Sequence, residues 1–145
     1  AQARANVFAS VDSVSRAVAA LYPDVRLDAA GDRNVVARVE RQDLDELVGN
    51  LLDNAAKYGG GSVFVTVQRD GNMAEILIED DGAGISPTDR DRIFDRGVRL
   101  DSNKPGTGLG LAIVRDVAEI YGGSVALEES EDLGGALVRL RLPAG

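Results

Sequence analysis

The sequence contains neither cysteine nor histidine. Without cysteine there are no disulfides, thiolate nucleophiles or zinc–cysteine sites. Without histidine the commonest general base and the commonest transition-metal ligand are missing, which leaves carboxylates and amides, the ligands of hard cations such as magnesium. Aromatic residues make up only 4% of the chain, so the core must consist mainly of Val, Leu, Ile and Ala. The net charge of -8 argues against a nucleic-acid-binding surface, which would be basic.

The length indicates one domain over residues 1–145, which is long enough to bury a substantial core. No apolar run approaches the roughly 20 residues of a membrane span, and no signal peptide is visible. The chain lacks an initiator Met, and its first residues, AQARANV, read as the middle of a sequence pattern and not as its start. We therefore expect it to be one domain of a longer protein.

Hydrophobic periodicity predicts an α+β fold. Helical spacing predicts helices from Ser10 or Asp12 to Leu21, over residues 43–58 and over residues 108–121, with a short helix from Ser86 or Thr88 to Phe94. Strands are predicted over residues 25–29, 34–39, 62–70, 73–80, 124–128 and 136–142. Because helices and antiparallel-looking strands are segregated, we expect a two-layer sandwich with a mixed, mostly antiparallel sheet and about three helices on one face.

One helix has an unusual polar face. Within residues 43–58, the side chains of Glu46, Asn50, Asn54 and Lys57 fall in an arc of about 80°, opposite an apolar side. Asn is a mediocre helix former, so two of them one turn apart in a helix interior invite an explanation. Taken alone, this helix is equally compatible with a functional stripe and with an ordinary solvated face.

The segment DDGAGI, residues 80–85, follows a predicted strand directly. Gly82 and Gly84 allow a tight turn and the close approach of a flat ligand. Asp80, at the end of the strand, offers a carboxylate that can accept a hydrogen bond from an amino group. Taken alone, the segment is better explained as a plain turn.

The segment KPGTGLGLAI, residues 104–113, places glycines immediately before a long helix, where backbone N–H groups and the helix dipole favour phosphate. A dinucleotide fingerprint would need an apolar strand just before it, and a P-loop would need GxxxxGK followed by Ser or Thr; both are absent. Arg96, Arg99 and Lys104 add cations to the irregular stretch of residues 95–107, which is typical of a lid or binding loop. Each of these cations, taken singly, is also typical of ordinary surface.

The combination resembles the catalytic ATP-binding domain of sensor histidine kinases, which has the Bergerat nucleotide fold. NLLDNAAKY resembles the N box of that family, DDGAGI its first glycine box, RIFDRGVR its F box and GTGLGLAI its second glycine box. The four boxes occur in the family's order and cover nearly the whole chain from about Val11. The resemblance implies a mobile ATP lid over about residues 95–107.

The resemblance implies roles for individual residues. Asn54 would ligate a magnesium ion that bridges the phosphates, and Asn50 would form hydrogen bonds beside it. Lys57 would reach a phosphate, and Tyr58 would pack on the adenine. Asp80 would accept a hydrogen bond from the exocyclic amine of adenine, which selects adenine over guanine.

Further contacts with ATP are implied around the lid. Gly82 and Gly84 would permit close approach of the nucleotide, and Ile85 would line an apolar floor. Arg99 and Lys104 would supply lid cations for the γ-phosphate. The implied binding residues at the end of the lid and the start of the next helix are Gly106, Thr107, Gly108, Leu109, Gly110 and Leu111.

The family reaction is transfer of the γ-phosphoryl group of Mg-ATP to a histidine, followed by relay to an aspartate of a response regulator. Because this chain has no histidine, the acceptor would lie on an absent dimerisation domain of the same kinase. The resemblance further implies a homodimeric parent that is anchored in the membrane, as orthodox members are, and whose catalytic domain is cytoplasmic and contacts neither the membrane nor nucleic acid.

Two other functions are kept open. A conformational ATPase of the gyrase or mismatch-repair type would carry a Glu one helical turn before the magnesium-binding Asn, as general base for water. That position is Asn50 here, an amide cannot take a proton, and Glu46 lies two turns away from Asn54. The second alternative is a degenerate domain that only binds nucleotide or a partner.

Overall fold

A computed structural model of the chain describes residues 3–58, 61–82, 108–129 and 135–145. Within these ranges the chain forms three helices and seven strands. In chain order they are β1 (Ala5–Asn6), α1 (Val7–Leu21), β2 (Arg26–Gly31), β3 (Val36–Ala37), α2 (Arg41–Tyr58), β4 (Ser62–Asp70), β5 (Met73–Asp80), α3 (Gly108–Ile120), β6 (Ser124–Glu129) and β7 (Ala136–Pro143). The short helix predicted up to Phe94 falls outside the described ranges, as does the predicted lid.

Five strands form one sheet in the order β2–β4–β5–β7–β6. Strand β2 is parallel to β4, and the other neighbouring pairs are antiparallel. Strands β1 and β3 form a separate antiparallel pair. Helix α1 contacts β2 and β4, α2 contacts β4 and β5, and α3 contacts β6 and β7. The predicted α+β sandwich with a mixed, mostly antiparallel sheet is therefore confirmed.

Helix α2 lies at the centre of the helix layer, because it contacts α1, α3 and the sheet. Its apolar side is almost completely buried, and so are alternate residues of the central strands. The buried residues of α2 and of strands β4, β5 and β7 include Leu44, Leu47, Val48, Leu51, Leu52, Val63, Val65, Val67, Ile76, Ile78, Leu140 and Leu142. Each Leu or Ile contributes roughly 1.5–3 kcal/mol through burial, so this packing fixes the polar side of α2 relative to the sheet.

The β4–β5 hairpin sets which face each side chain of β5 occupies. Asp70 lies opposite Met73 across a two-residue turn, and Gly71 there has a φ of 59°, a conformation that favours glycine. Side chains alternate along a strand, so Asp80 shares the helix-facing side with Ile76 and Ile78. Glu75 lies on the opposite side. The sequence predicted this hairpin with the observed bounds.

Helix α1 begins earlier than predicted. It starts at Val7, and Asn6 is the N-cap: its side-chain oxygen accepts a hydrogen bond from the Ala9 N–H at 2.8 Å. The prediction that Ser10 or Asp12 caps the helix was wrong. Ser10 is instead buried inside the helix, and its hydroxyl donates to Asp45 of α2 at 2.6 Å. Ser10 therefore links α1 to α2 and does not cap a helix.

Strand β2 extends two residues past its predicted end at residue 29, into the segment AAGD, whose composition is typical of a turn. Gly31 continues the parallel pairing opposite Val67 with a φ of 124°, and a Cβ there would lie 2.1 Å from the Val67 carbonyl oxygen. The strand predicted over residues 34–39 shortens to β3. Both differences have the same cause: pairing with a neighbouring strand, and not the local turn propensity of the residues, decides where a strand ends.

The outer face of the sheet holds one buried charge. The side chain of Glu75 is 2% exposed, although it lies on the face turned away from the helices. It accepts a hydrogen bond from Gln68 at 2.7 Å and from Arg139 at 3.3 Å, and the Arg141 guanidinium lies 3.4 Å away. Burial raises the pKa of this carboxyl, but the hydrogen bonds and the two positive charges outweigh it, so the pKa lies below its ordinary value of 4.5.

Candidate functional site

The polar stripe predicted on α2 is present. Asn50, Asn54 and Lys57 are half-buried, and Glu46 is exposed one turn before Asn50. Apolar packing on the other side of the helix holds these side chains on one surface. Side-chain amides and an ammonium group on a fixed helix face can bind a phosphate-bound hard cation and a phosphate oxygen.

Lys57 is held by a carboxylate of its own helix. Its Nζ lies 3.3 Å from Oδ2 of Asp53, one turn earlier. The other oxygen of that carboxylate, Oδ1, accepts a hydrogen bond at 2.7 Å from the hydroxyl of Tyr22, the residue after the end of α1. Sequence reasoning missed this contact, because Tyr22 and Asp53 are 31 positions apart and carry no shared motif.

The other end of α2 has a similar contact. The hydroxyl of Tyr121, the residue after α3, donates a hydrogen bond to Asp43. This hydrogen bond and burial raise the pKa of Tyr121, because both favour the neutral phenol. Helix α2 is therefore held at each end by a tyrosine that follows the last turn of a neighbouring helix.

Asp80 lies at the end of β5 with one oxygen fixed. Its Oδ1 accepts hydrogen bonds from the N–H of Gly82 at 2.9 Å and from the N–H of Ala136 at 3.2 Å. Over the described part of the chain, Oδ2 accepts no hydrogen bond. The carboxylate faces the helix layer and is half-buried. One oxygen is thus oriented by the backbone, and the other can accept a hydrogen bond from an amino group of a ligand.

Gly135 packs directly against Asp80. A Cβ on Gly135 would lie 2.2 Å from the Asp80 carbonyl oxygen and 2.4 Å from Oδ1, and 2.7 Å from the Gly82 nitrogen. No side chain fits there without moving the carboxylate. No motif predicts a site role for this glycine, and its one signal in the sequence is its place directly before the last strand, in LGGALVRL.

The N-terminus of α3 supplies the third part of the predicted site. The helix begins at Gly108, so the first turn contains the glycine-rich residues that the sequence placed near phosphates. Leu111 is 8% exposed and belongs to the core, which leaves its backbone rather than its side chain for a ligand. The first N–H groups of a helix have no partner within it and favour anions.

The structure brings these elements together, since α2 contacts both β5 and α3. Several predicted site residues lie where the structure gives no description. They are Gly84, Ile85, Arg99, Lys104, Gly106 and Thr107, together with the side chains of Tyr58 and Leu109. Their predicted roles stay predictions.

A magnesium site built mainly from protein carboxylates is absent from the described residues, where no three acidic side chains converge to hold a metal. The donor set on α2 suits a different arrangement. Magnesium commonly takes one or two protein oxygens and completes its shell with water and substrate phosphates. The half-buried amide of Asn54 fits such a shared site.

Comparison with known proteins identifies relatives of this arrangement. Residues 39–145 match the family model described as histidine kinase-, DNA gyrase B- and HSP90-like ATPase. The sensor protein kinase CarS of Pseudomonas aeruginosa is 47% identical over 104 residues, which are 72% of this chain and 23% of that protein. The two-component sensor PhoQ of the same organism is 40% identical over 133 residues, 90% of this chain and 30% of that protein. The chain thus spans less than a third of either relative.

Solved structures match the whole fold. The mycobacterial sensor histidine kinase MprB superposes with a TM-score of 0.88 at 29% identity, over 98% of both chains. The ATP binding domain of PrrB from Mycobacterium tuberculosis superposes with a TM-score of 0.84 at 29% identity, over 99% of this chain and 98% of the other. Among the described helices of the present chain, none has the length and apolarity needed to cross a membrane.

Proposed function

This chain belongs to the histidine kinase-, DNA gyrase B- and HSP90-like ATPase family, and we propose on that premise that it is the catalytic domain of a two-component sensor histidine kinase. In this proposal it binds Mg-ATP and donates the γ-phosphoryl group to a histidine on another domain of the same kinase. The relatives named as sensor kinases support this direction.

The observation that carries the proposal is the environment of Asp80. Two backbone N–H groups fix Oδ1 of the half-buried carboxylate, and within the described residues Oδ2 accepts no hydrogen bond. A carboxylate can only accept hydrogen bonds, so it suits the 6-amino group of adenine and is unsuited to the 6-oxo group of guanine. Gly82 and Gly84 would let the base approach, with Ile85 and Tyr58 as apolar contacts.

The phosphates would lie between α2 and the N-terminus of α3. Asn54 would ligate the magnesium ion through its amide oxygen, and Asn50 would form hydrogen bonds beside it. Bound magnesium would neutralise phosphate charge. Lys57 would reach a phosphate oxygen, and backbone N–H groups of α3, from Gly108 to Leu111, would bind the phosphate chain.

Additional contacts would come from residues 99–110. Arg99 and Lys104 would approach the γ-phosphate, and Thr107, Leu109 and Gly110 would line the nucleotide. These contacts would neutralise charge that develops as the bond from the γ-phosphorus to the β,γ-bridging oxygen breaks and a phosphorus–nitrogen bond forms. ADP would leave with the bridging oxygen.

The rival function, a conformational ATPase, needs a base to activate water. The side chain one turn before Asn54 is Asn50, which cannot accept a proton, and Glu46 is a further turn away on an exposed part of α2. Transfer to an imidazole nitrogen relies on positioning and charge neutralisation, which this site offers. These residues therefore favour kinase chemistry.

The partners in this proposal follow from the relatives. The acceptor would be a histidine-bearing dimerisation domain, and a response regulator would receive the phosphoryl group from it. The parent would be a membrane-anchored homodimer with this domain in the cytoplasm. The names of CarS and PhoQ as sensors support that arrangement.

The test is reconstitution. This chain is incubated with Mg-ATP labelled at the γ-phosphate, with and without the histidine-bearing helical hairpin from a related sensor kinase. We expect acid-labile, base-stable phosphohistidine on the hairpin, and none when its histidine is replaced by Gln. Label on this chain itself, or release of inorganic phosphate at the same rate with and without the hairpin, would contradict the proposal.

A further inference from the structure

We propose that Tyr22 and Asp53 are positioning residues that hold Lys57 in place for the nucleotide phosphates. The inference rests on the proposed function, since it concerns how Lys57 meets ATP. It adds Tyr22, which lies outside every motif identified in the sequence, and Asp53, which lies within NLLDNAAKY but has no role assigned by the resemblance. Neither is proposed to touch the reacting atoms.

The geometry is a three-residue chain across two helices. Tyr22 donates its hydroxyl hydrogen to Oδ1 of Asp53 at 2.7 Å, and Lys57 approaches Oδ2 of the same carboxylate at 3.3 Å. Among the described residues, Oδ1 therefore serves Tyr22 and Oδ2 serves Lys57. The side chains of Asp53 and Lys57 are 33% and 25% exposed, so the contact is partly shielded from solvent.

Tyr22 makes this pair more than an ordinary contact between residues one turn apart. An isolated ion pair of that kind on a helix surface is weak, because water screens the charges and holding the long lysine side chain in one rotamer costs entropy. A hydroxyl from the end of α1 removes rotamer freedom from the carboxylate. Lys57 then has a fixed partner on its own helix, beside Asn50 and Asn54, and less rotamer entropy is lost when it meets a phosphate.

If Asp53 acted on ATP binding only through its negative charge, its effect would be opposite to that of a positioning residue. A carboxylate near a polyphosphate repels it, so removing the charge would tighten ATP binding if Asp53 had no positioning role, or if it held Lys57 away from the ligand. The positioning role predicts weaker binding. The sign of the change therefore distinguishes these readings.

The chain contains a matched control for the hydroxyl. Tyr121 donates to Asp43 near the other end of α2, ten residues before Asp53 and about 15 Å away along the helix. The chemistry and the parent helix are the same, and Asp43 has no lysine of the polar stripe beside it. Tyr121→Phe therefore reports what loss of such a hydrogen bond does to α2 without a change at Lys57.

The experiment measures dissociation constants of ATP and of adenosine, in the presence of magnesium, for this chain and its variants. We expect Tyr22→Phe to weaken ATP binding by about twofold to fivefold, in the lower part of the range for one lost hydrogen bond, with adenosine binding unchanged. Asp53→Asn is expected to weaken ATP binding as well. In a Lys57→Met background, Tyr22→Phe is expected to have no further effect. Tyr121→Phe should leave both ligands unaffected.

Three results would overturn the inference. One is ATP binding by Tyr22→Phe equal to that of the unchanged chain. Another is an equal loss for ATP and adenosine, which would mean a general disturbance of the fold. The third is tighter ATP binding by Asp53→Asn. If the unchanged chain binds no ATP, the proposed function fails and this inference fails with it, a result distinct from the other three.

Discussion

Glu75 and Asp80 lie five residues apart on β5, on opposite faces of the sheet. Glu75 is 2% exposed and is surrounded by Gln68, Arg139 and Arg141, which satisfy both of its oxygens. Asp80 is half-buried, and only Oδ1 is bound within the described residues, by two backbone N–H groups. The more deeply buried carboxylate, with the perturbed pKa, is the structural one.

The difference shows that burial and a shifted pKa do not by themselves identify a ligand site. Glu75 joins β5 to β4 through the amide of Gln68 and to β7 through Arg139 and Arg141, and it has no remaining acceptor capacity toward a ligand. Asp80 is oriented by backbone groups and keeps an oxygen available. The criterion that separates them is which hydrogen-bonding capacity is left after folding.

The largest expected effect comes from Asp80→Asn. The Asn side chain would place either an N–H donor or an uncharged oxygen where the adenine amino group binds, in place of the charged acceptor. We therefore expect ATP affinity to fall about a hundredfold. The free energy of unfolding should change little, because Oδ1 can still accept from the backbone. Isothermal titration and urea unfolding measure the two quantities. Asp81→Asn is the control, since the side chain of Asp81 is exposed and accepts a hydrogen bond from the Ser62 N–H at 2.9 Å.

Glu75→Gln should have the opposite pattern of effects, lowering the free energy of unfolding and leaving ATP affinity nearly unchanged. It removes the negative charge between two guanidinium groups whose side chains are about a third exposed, so we expect a loss of about 1–3 kcal/mol in the free energy of unfolding. ATP affinity should stay within twofold, roughly the precision of such a comparison. Glu128→Gln breaks the more exposed ion pair with Arg139 and should cost less than about 1 kcal/mol. Equal losses in these two variants would contradict the structural role of Glu75.

Gly135→Ala should affect both binding and stability. The added Cβ meets the carbonyl and carboxylate oxygens of Asp80, so the carboxylate must move, and we expect ATP affinity to fall about tenfold. Gly123→Ala is the matched control. Its Cβ would lie 2.0 Å from the Arg141 carbonyl oxygen, toward the other end of β7, and should lower stability without changing affinity. Equal affinity in the two variants would show that Gly135 does not position Asp80.

The smallest expected effect is a pH dependence of stability. The folded-state pKa of Glu75 lies below 4.5, so the unfolded chain takes up its proton first as the pH falls. The stabilisation is therefore complete above about pH 5 and is lost as the pH falls through the folded-state pKa. The difference in unfolding free energy between the unchanged chain and Glu75→Gln should shrink over that range. A difference that stays constant down to pH 3 would contradict the lowered pKa.

Much of this fold could be predicted from periodicity. The α2 stripe, the β4–β5 hairpin and α3 were predicted to within a few residues, because their apolar residues repeat at the period of the element that forms. The burial of Glu75 could not be predicted: alternation places it on the solvent face, and only the pairing of β5 with β7 brings Arg139 and Arg141 across it.

The candidate site also has a part that the sequence predicts and a part that it does not. Asp80, Asn50, Asn54 and Lys57 carry local signals, since each lies in a recognisable box. Some of the residues that orient them come from elsewhere in the chain: Ala136 is 56 positions from Asp80, and Tyr22 is 31 positions from Asp53. Such contacts depend on strand order and helix docking, which no local pattern encodes.

The most direct test of the account is the base selectivity of binding. The dissociation constants of ATP and GTP are measured by calorimetry, with magnesium, for the unchanged chain and for Asp80→Asn. We predict that the unchanged chain binds ATP at least a hundredfold more tightly than GTP, and that Asp80→Asn loses this preference. Equal affinity for the two nucleotides, or a preference that survives in Asp80→Asn, would contradict the assignment of Asp80 as the adenine-binding carboxylate.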